Sequence, residues 1–157
     1  MPSEVATFSV VTESIRRVAK TLHTQESEVT LRGKGKAPLG LLFISGRLIE
    51  RSNQLAELVA HESCCHWLII PVAGVLHHES EHDNDSAAAG VLFTKNQPKV
   101  FLANDLGPEL GDALIDEFKA KPVSSSLVLQ RGTPDLDGWL GTLREATAAN
   151  TPLIWGG

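Results

Sequence analysis

Three groups of residues in this sequence are of types that do chemistry. The first is the run His77-His78-Glu79-Ser80-Glu81-His82-Asp83-Asn84-Asp85, with three histidines and four acids in nine residues. Imidazole and carboxylate are ligands for zinc and other transition metals, and an imidazole is also an axial ligand for heme. His78 and His82 stand four apart, which brings two side chains to one face if the segment is helical. A structural zinc site adds a second ligand pair elsewhere, and none stands out, so the competing reading of His77–Asp85 is a solvated polar loop.

The second group is Cys64-Cys65-His66. A Cys–His pair makes a nucleophile when a base sits beside the thiol and an oxyanion site is at hand. Neighbours in sequence at a helix end offer that poorly, and the plainer reading is two small side chains packed at a helix–strand junction. The third group lies where apolar runs stop: Ser45-Gly46-Arg47, Ala73-Gly74, Gln130-Arg131-Gly132 and Gly156-Gly157. Glycine permits tight turns and close backbone approach. Arg47 and Arg131 hold equivalent places, and two guanidinium groups converging on a carboxylate would suit an amino-acid ligand. The competing reading is ordinary turns with exposed arginines. Other catalytic signatures are missing. Ser45-Gly46 has no leading glycine for a nucleophile elbow, and Gly33 and Gly35 supply G-x-G without the rest of a dinucleotide fingerprint.

These residues are positioned by Leu39–Leu76. An apolar run (Leu39–Ile44), a segment with Leu55, Leu58 and Val59 on one helical face, and a second apolar run (Trp67–Val72) make a β-α-β unit. The two runs read as strands buried on both faces. Ser52 or Asn53 is the expected helix cap. Before it, Phe8–Val11 reads as a strand and Thr12–Gln25 as a helix capped by Thr12, with Ile15, Val18, Ala19 and Leu22 on one face. The stretch from Arg32 to Lys36 reads as a connector. After the unit, Ala88–Thr94 and Lys99–Ala103 read as a strand pair turning at Asn96-Gln97-Pro98. Glu109–Lys121 reads as a helix ended by Pro122. Ser124–Gly157 then echoes the first unit: an apolar run ending at Arg131-Gly132, a helix from Thr133-Pro134, and the run Pro152–Trp155. The expected fold is α/β, a mixed sheet built from two β-α-β pseudo-repeats with helices packed on it.

The chain has 157 residues and a net charge of −5, with 42% hydrophobic and 21% charged residues. That is one ordinary globular domain by size. The charge argues against general nucleic-acid binding, which needs Lys and Arg on phosphates. No apolar run approaches the roughly 20 residues of a membrane span, and MPSEVATFSV lacks the basic start of a signal peptide. A cytoplasmic setting is the expectation, and two adjacent cysteines suit a reducing compartment. The last strand runs straight into Gly156-Gly157, so the chain reads as the N-terminal part of a longer parent.

The order "LLFISG", helix, "WLIIPVAGVL", acidic stretch, strand pair, helix, "SSLVLQRGTPDLDGWLGTLREA" and "PLIWGG" resembles the N-terminal FIST domain, from about Phe8 to Gly157. Leu41–Gly46 takes the place of the family's first strand, Ile70–Gly74 that of its glycine turn, and Pro152–Gly157 that of its closing strand. Pro71 departs from the pattern, standing about where the family has Cys or Ser after a glycine. The C-terminal FIST domain that normally follows is not part of the sequence. The resemblance implies a non-enzymatic sensory module that binds a small ligand, with amino acids or heme as candidates, and signals to a C-terminal FIST domain or a partner protein. The ligand residues expected from the strand ends are Ser45, Gly46, Arg47, Gly74, Arg131 and Gly132. A reading from another class is a metal-dependent or thiol enzyme using the His77–Asp85 stretch or Cys65. A third is an interaction domain without a ligand.

Overall fold

The structure, a computed structural model, describes residues 5–30, 38–77, 80–83, 85–94, 100, 126–129 and 153–156. The chain divides into two compact units, Met1–Lys99 and Val100–Gly157.

The first unit is a four-stranded mixed sheet in the order β1 (Val5–Val11), β6 (Ala87–Phe93), β2 (Leu39–Ile44), β3 (His66–Pro71). β6 runs antiparallel to both β1 and β2, and β2 runs parallel to β3. β1, β2 and β3 therefore point the same way and end at one edge of the sheet. β2 is central, and its continuous apolar run is what a strand covered on both faces requires. Leu41, Leu42 and Ile44 are buried. Among the described residues β3 is the outer strand, and only half-buried along Trp67–Ile70 rather than enclosed on both faces. An outer strand can hold Pro71, whose nitrogen has no proton to donate to a ladder.

Between β2 and β3 lie α2 (Arg47–Glu50) and α3 (Ser52–Glu62), so the expected β-α-β unit is present with parallel strands. The helix starts earlier than the capping residues suggested. Arg51, with no side-chain capping bond, precedes α3; its N–H donates to Leu48 and its carbonyl accepts from Leu55 at 2.9 Å. The short turn of α2 does the work of a cap and draws Leu48 fully into the core. α1 (Ile15–Thr30) is longer than its apolar spacing indicated. Thr12 Oγ1 accepts from the Ser14 N–H at 3.1 Å, and Ser14 Oγ accepts from the Arg17 N–H at 3.4 Å, so Ser14 rather than Thr12 caps the helix.

The core lies between one face of the sheet and these helices. Phe8, Leu42, Ile44 and Ala88 meet Val18 and Leu22 of α1 and Leu55 and Val59 of α3. Gly40 and Gly90 face the same core. Gly40 is opposite Trp67 and Gly90 opposite Phe8 in the strand register, and a Cβ on either would overlap the ring beside it. The two rings meet edge to face, 5.9 Å between centroids.

The chain after β3 departs from the expected polar loop. β4 (Gly74–His77) and β5 (Ser80–Asp83) form an antiparallel pair in which Val75 faces His82 in register. Polar residues have weak strand preference on their own; here a short return and the buried Val75 decide. β6 also departs from expectation. Both of its edges are taken, by β1 and β2, so it is not one arm of a hairpin with Lys99–Ala103.

In the second unit, β7 (Ser126–Leu129) runs parallel to β8 (Leu153–Gly156). The expected helices at Glu109–Lys121 and after Thr133, together with His78, Arg131 and Gly132, lie outside the described residues. The expected α/β class holds: a mixed sheet with helices packed on it. Among the described residues no helix is long and apolar enough to cross a membrane.

Candidate functional site

The first sheet has two functional-looking ends. At the end where β2 and β3 begin, the chain leaves α3 through Ser63-Cys64-Cys65. Ser63 is in extended conformation, and its N–H closes the helix on the Val59 carbonyl at 2.9 Å. The Cys65 N–H folds back onto Ser63 Oγ at 2.9 Å, which tightens the turn before β3. The final turns of α1 pass over this junction and place Glu26 in it, 1% exposed.

A buried carboxylate is costly unless it is hydrogen-bonded, and Glu26 is. Ser63 Oγ–H and Trp67 Nε1–H donate to Oε1, the latter at 2.6 Å. The Cys64 N–H donates to Oε2 at 3.3 Å, and Cys64 Sγ lies 3.6 Å from the same oxygen. Cys64 Sγ and Cys65 Sγ are 4.0 Å apart. Cys64 is exposed and Cys65 is buried, and neither is in a disulfide. Burial first, then the nearby Glu26 carboxylate and Cys64, push the Cys65 thiol up from 9.0 to about 12. One ligand atom from each of Glu26, Cys64 and Cys65 fits within a mutual 4.8 Å.

The sequence reading placed Cys64 and Cys65 at a helix–strand junction, and there they are. It missed Glu26, Ser63 and Trp67. The signal for Glu26 was available, because it follows Leu22 by four residues and so lies on the apolar stripe of α1.

The opposite end holds Ser45, Gly46 and Arg47 of the residues expected to bind a ligand. Ser45 is fully buried; its hydroxyl donates to the Asp85 carbonyl at 2.8 Å and accepts from the Ala87 N–H at 3.3 Å. Its side chain thus joins β2 to the start of β6. Gly46 turns the chain with φ 59°, a left-handed conformation that favours glycine. The Arg47 N–H donates to Ser86 Oγ at 3.0 Å, and its guanidinium pairs with Glu13 at 3.2 Å. Those two side chains are 72% and 60% exposed. Gly74 opens β4, three residues beyond the end of β3. Ser45, Gly46 and Arg47 thus form one turn at the edge where β1 and β3 also end, while Gly74 belongs to the hairpin that follows. A groove between α1 and α3 starts at this edge, with Ser14 and Arg51 at its mouth and His61 and Glu62 at its far end. His82 lies in β5, in register with Val75.

No family model matches the chain, and the searches of curated proteins and of solved structures found no match.

Proposed function

We propose that the chain is a non-enzymatic, small-ligand-binding sensory module of the FIST N-terminal kind, with its site at the edge where β1, β2 and β3 end. The observation that carries this is the exposed Arg47 side chain, held at that edge by a turn that the buried Ser45 fixes. In α/β sheets ligands collect outside the carboxyl ends of the strands. The Arg47–Glu13 pair is well exposed. Such pairs are worth about 0–1 kcal/mol, so a ligand carboxylate displaces Glu13 at little cost and gains the bidentate grip of the guanidinium. Amino acids fit this chemistry. Heme remains the alternative ligand that the resemblance implies, and a C-terminal FIST domain or partner protein would receive the signal.

A thiol enzyme is the weaker reading, because a nucleophilic cysteine needs a lowered pKa and Cys65 is shifted the other way. Two cysteines outside any disulfide accord with a reducing, cytoplasmic setting. The test is calorimetric titration of the chain with a panel of free amino acids, and absorbance titration with hemin. Saturable binding of an amino acid that weakens at least about tenfold in Arg47→Ala supports the reading; losing a charge-assisted hydrogen bond costs that much. No binding from either class, or binding indifferent to Arg47→Ala, refutes this site.

A further inference from the structure

The Glu26–Cys64–Cys65 cluster lies at the other end of the strands and is independent of the ligand edge. Its spacing has a specific meaning. Zinc holds sulfur at about 2.3 Å and carboxylate oxygen at about 2.1 Å in tetrahedral geometry, which sets two ligand sulfurs about 3.8 Å apart and a sulfur about 3.6 Å from the oxygen. Here Sγ to Sγ is 4.0 Å, and Cys64 Sγ to Glu26 Oε2 is 3.6 Å. A disulfide would instead require the sulfurs at about 2.05 Å. We propose that Glu26, Cys64 and Cys65 form a three-ligand site for a thiophilic divalent cation of the zinc class, Sγ of each cysteine and Oε2 of Glu26 being the donor atoms.

Two further features fit a built site. Glu26 is divided in its tasks: Oε1 takes the Ser63 hydroxyl and the Trp67 indole N–H, while Oε2 faces the thiols. Hydrogen bonds of this kind orient a ligand carboxylate before the ion arrives. Trp67 is in turn fixed by the space over Gly40 and by the Phe8 ring. Access is open from one side, because Cys64 is exposed although Cys65 and Glu26 are buried. Two thiolates select zinc or cadmium over magnesium and calcium. On binding, each thiol gives up its proton to solvent, so one ion enters, two sulfur–metal bonds and one oxygen–metal bond form, and two protons leave. Among the described residues these three supply the donors, and a tetrahedral ion takes a fourth ligand.

The experiment uses the full chain, reduced and stripped with a chelator. Cd2+ is titrated while the thiolate-to-cadmium charge-transfer band is followed, and Zn2+ is titrated in competition with a chromophoric chelator, with proton release recorded in weak buffer. The expected result is a band that saturates at about one ion per chain, with proton release, and affinity at least tenfold weaker in Cys64→Ser. Cys64 is exposed, so that variant keeps its fold even if the buried Cys65→Ser and Glu26→Gln do not. Trp67→Phe, which removes the N–H to Oε1, should weaken binding about 10- to 100-fold. The proposal is overturned if no charge-transfer band appears, if Cys64→Ser binds as the parent does, or if zinc affinity is lost in His82→Ala while Cys64→Ser retains it.

Discussion

Replacing Gly40 with alanine should destabilise the protein, although strand propensity alone says the opposite. Alanine in a strand interior is favoured over glycine by about 0.5–1 kcal/mol. In this structure a Cβ at residue 40 would stand 2.7 Å from Trp67 Cη2 and closer still to two other carbons of the ring. The ring cannot slide away freely. Its indole N–H is held by Glu26 at 2.6 Å, and it meets the Phe8 ring edge to face. Forcing an extra methyl into a packed core costs about 1–3 kcal/mol. Losing a hydrogen bond to a charged group adds about 1.5–3 kcal/mol. After the propensity gain, Gly40→Ala should lose about 1.5–5.5 kcal/mol. For a chain of this size that lowers Tm by roughly 3–20 °C. Urea unfolding followed by far-ultraviolet circular dichroism measures it directly, with Gly90→Ala as the companion beneath Phe8. A Gly40→Ala protein as stable as the parent, or more so, refutes the packing of Trp67 over Gly40 and with it the aim of the indole at Glu26.

Four further outcomes follow from the turn after β2 and from Cys65. Gly46→Ala puts a Cβ at φ 59° and 2.8 Å from the Asp85 carbonyl oxygen and Ser86 nitrogen; with about 1–2 kcal/mol for the left-handed backbone alone, it should cost at least that in urea unfolding. Ser45→Ala leaves the Asp85 and Ala87 backbone groups without their hydroxyl partner, which should cost about 1–3 kcal/mol by the same measurement, whereas Arg47→Ala should change stability by less than about 1 kcal/mol. Cys65 has a folded-state pKa raised from 9.0 to about 12, so its contribution is fully present below pH 9 and is lost as pH rises toward 12; the metal-free protein should lose stability across that window, and Cys65→Ala should flatten the profile in a series of pH-dependent melts.

The β2-α-β3 unit was legible because its cues are local. Leu39–Ile44 is a continuous apolar run, Leu55 and Val59 share a helical face, and Ser45-Gly46 marks the turn between them. The placement of β6 between β1 and β2 was not legible. AAAGVLF announces a strand, but no local cue tells which strands it joins, and the neighbouring KVFLA invited a hairpin reading. The β4–β5 pair was missed for a related reason: histidines and acids in strands are held by pairing and by one buried neighbour, Val75, rather than by propensity. At the candidate sites, sequence separated what the fold unites. Cys64 and Cys65 stood out by type, while Glu26, nearly forty positions earlier, fell just past the expected end of the helix at Gln25. Arg47 was visible as a cation beside a glycine, but its pairing with Glu13 needed the loops after β1 and β2 to end at the same edge.

The contrast between the two ends of the sheet decides what each can do. At the carboxyl edge the charged groups are exposed, and an exposed ion pair exchanges its partner cheaply. At the amino end a carboxylate sits where a leucine would continue the apolar stripe of α1. A buried charge there must be compensated by directional hydrogen bonds, and Ser63, Cys64 and Trp67 all supply them from the α3–β3 junction. A leucine at position 26 would let α1 slide along the junction with little penalty. Glu26 does not, because four donor contacts fix its two oxygens separately. The same geometry that sets α1 against β3 therefore holds one carboxylate oxygen facing two thiols, and precise placement of that oxygen is what a metal ligand requires and a packing residue does not.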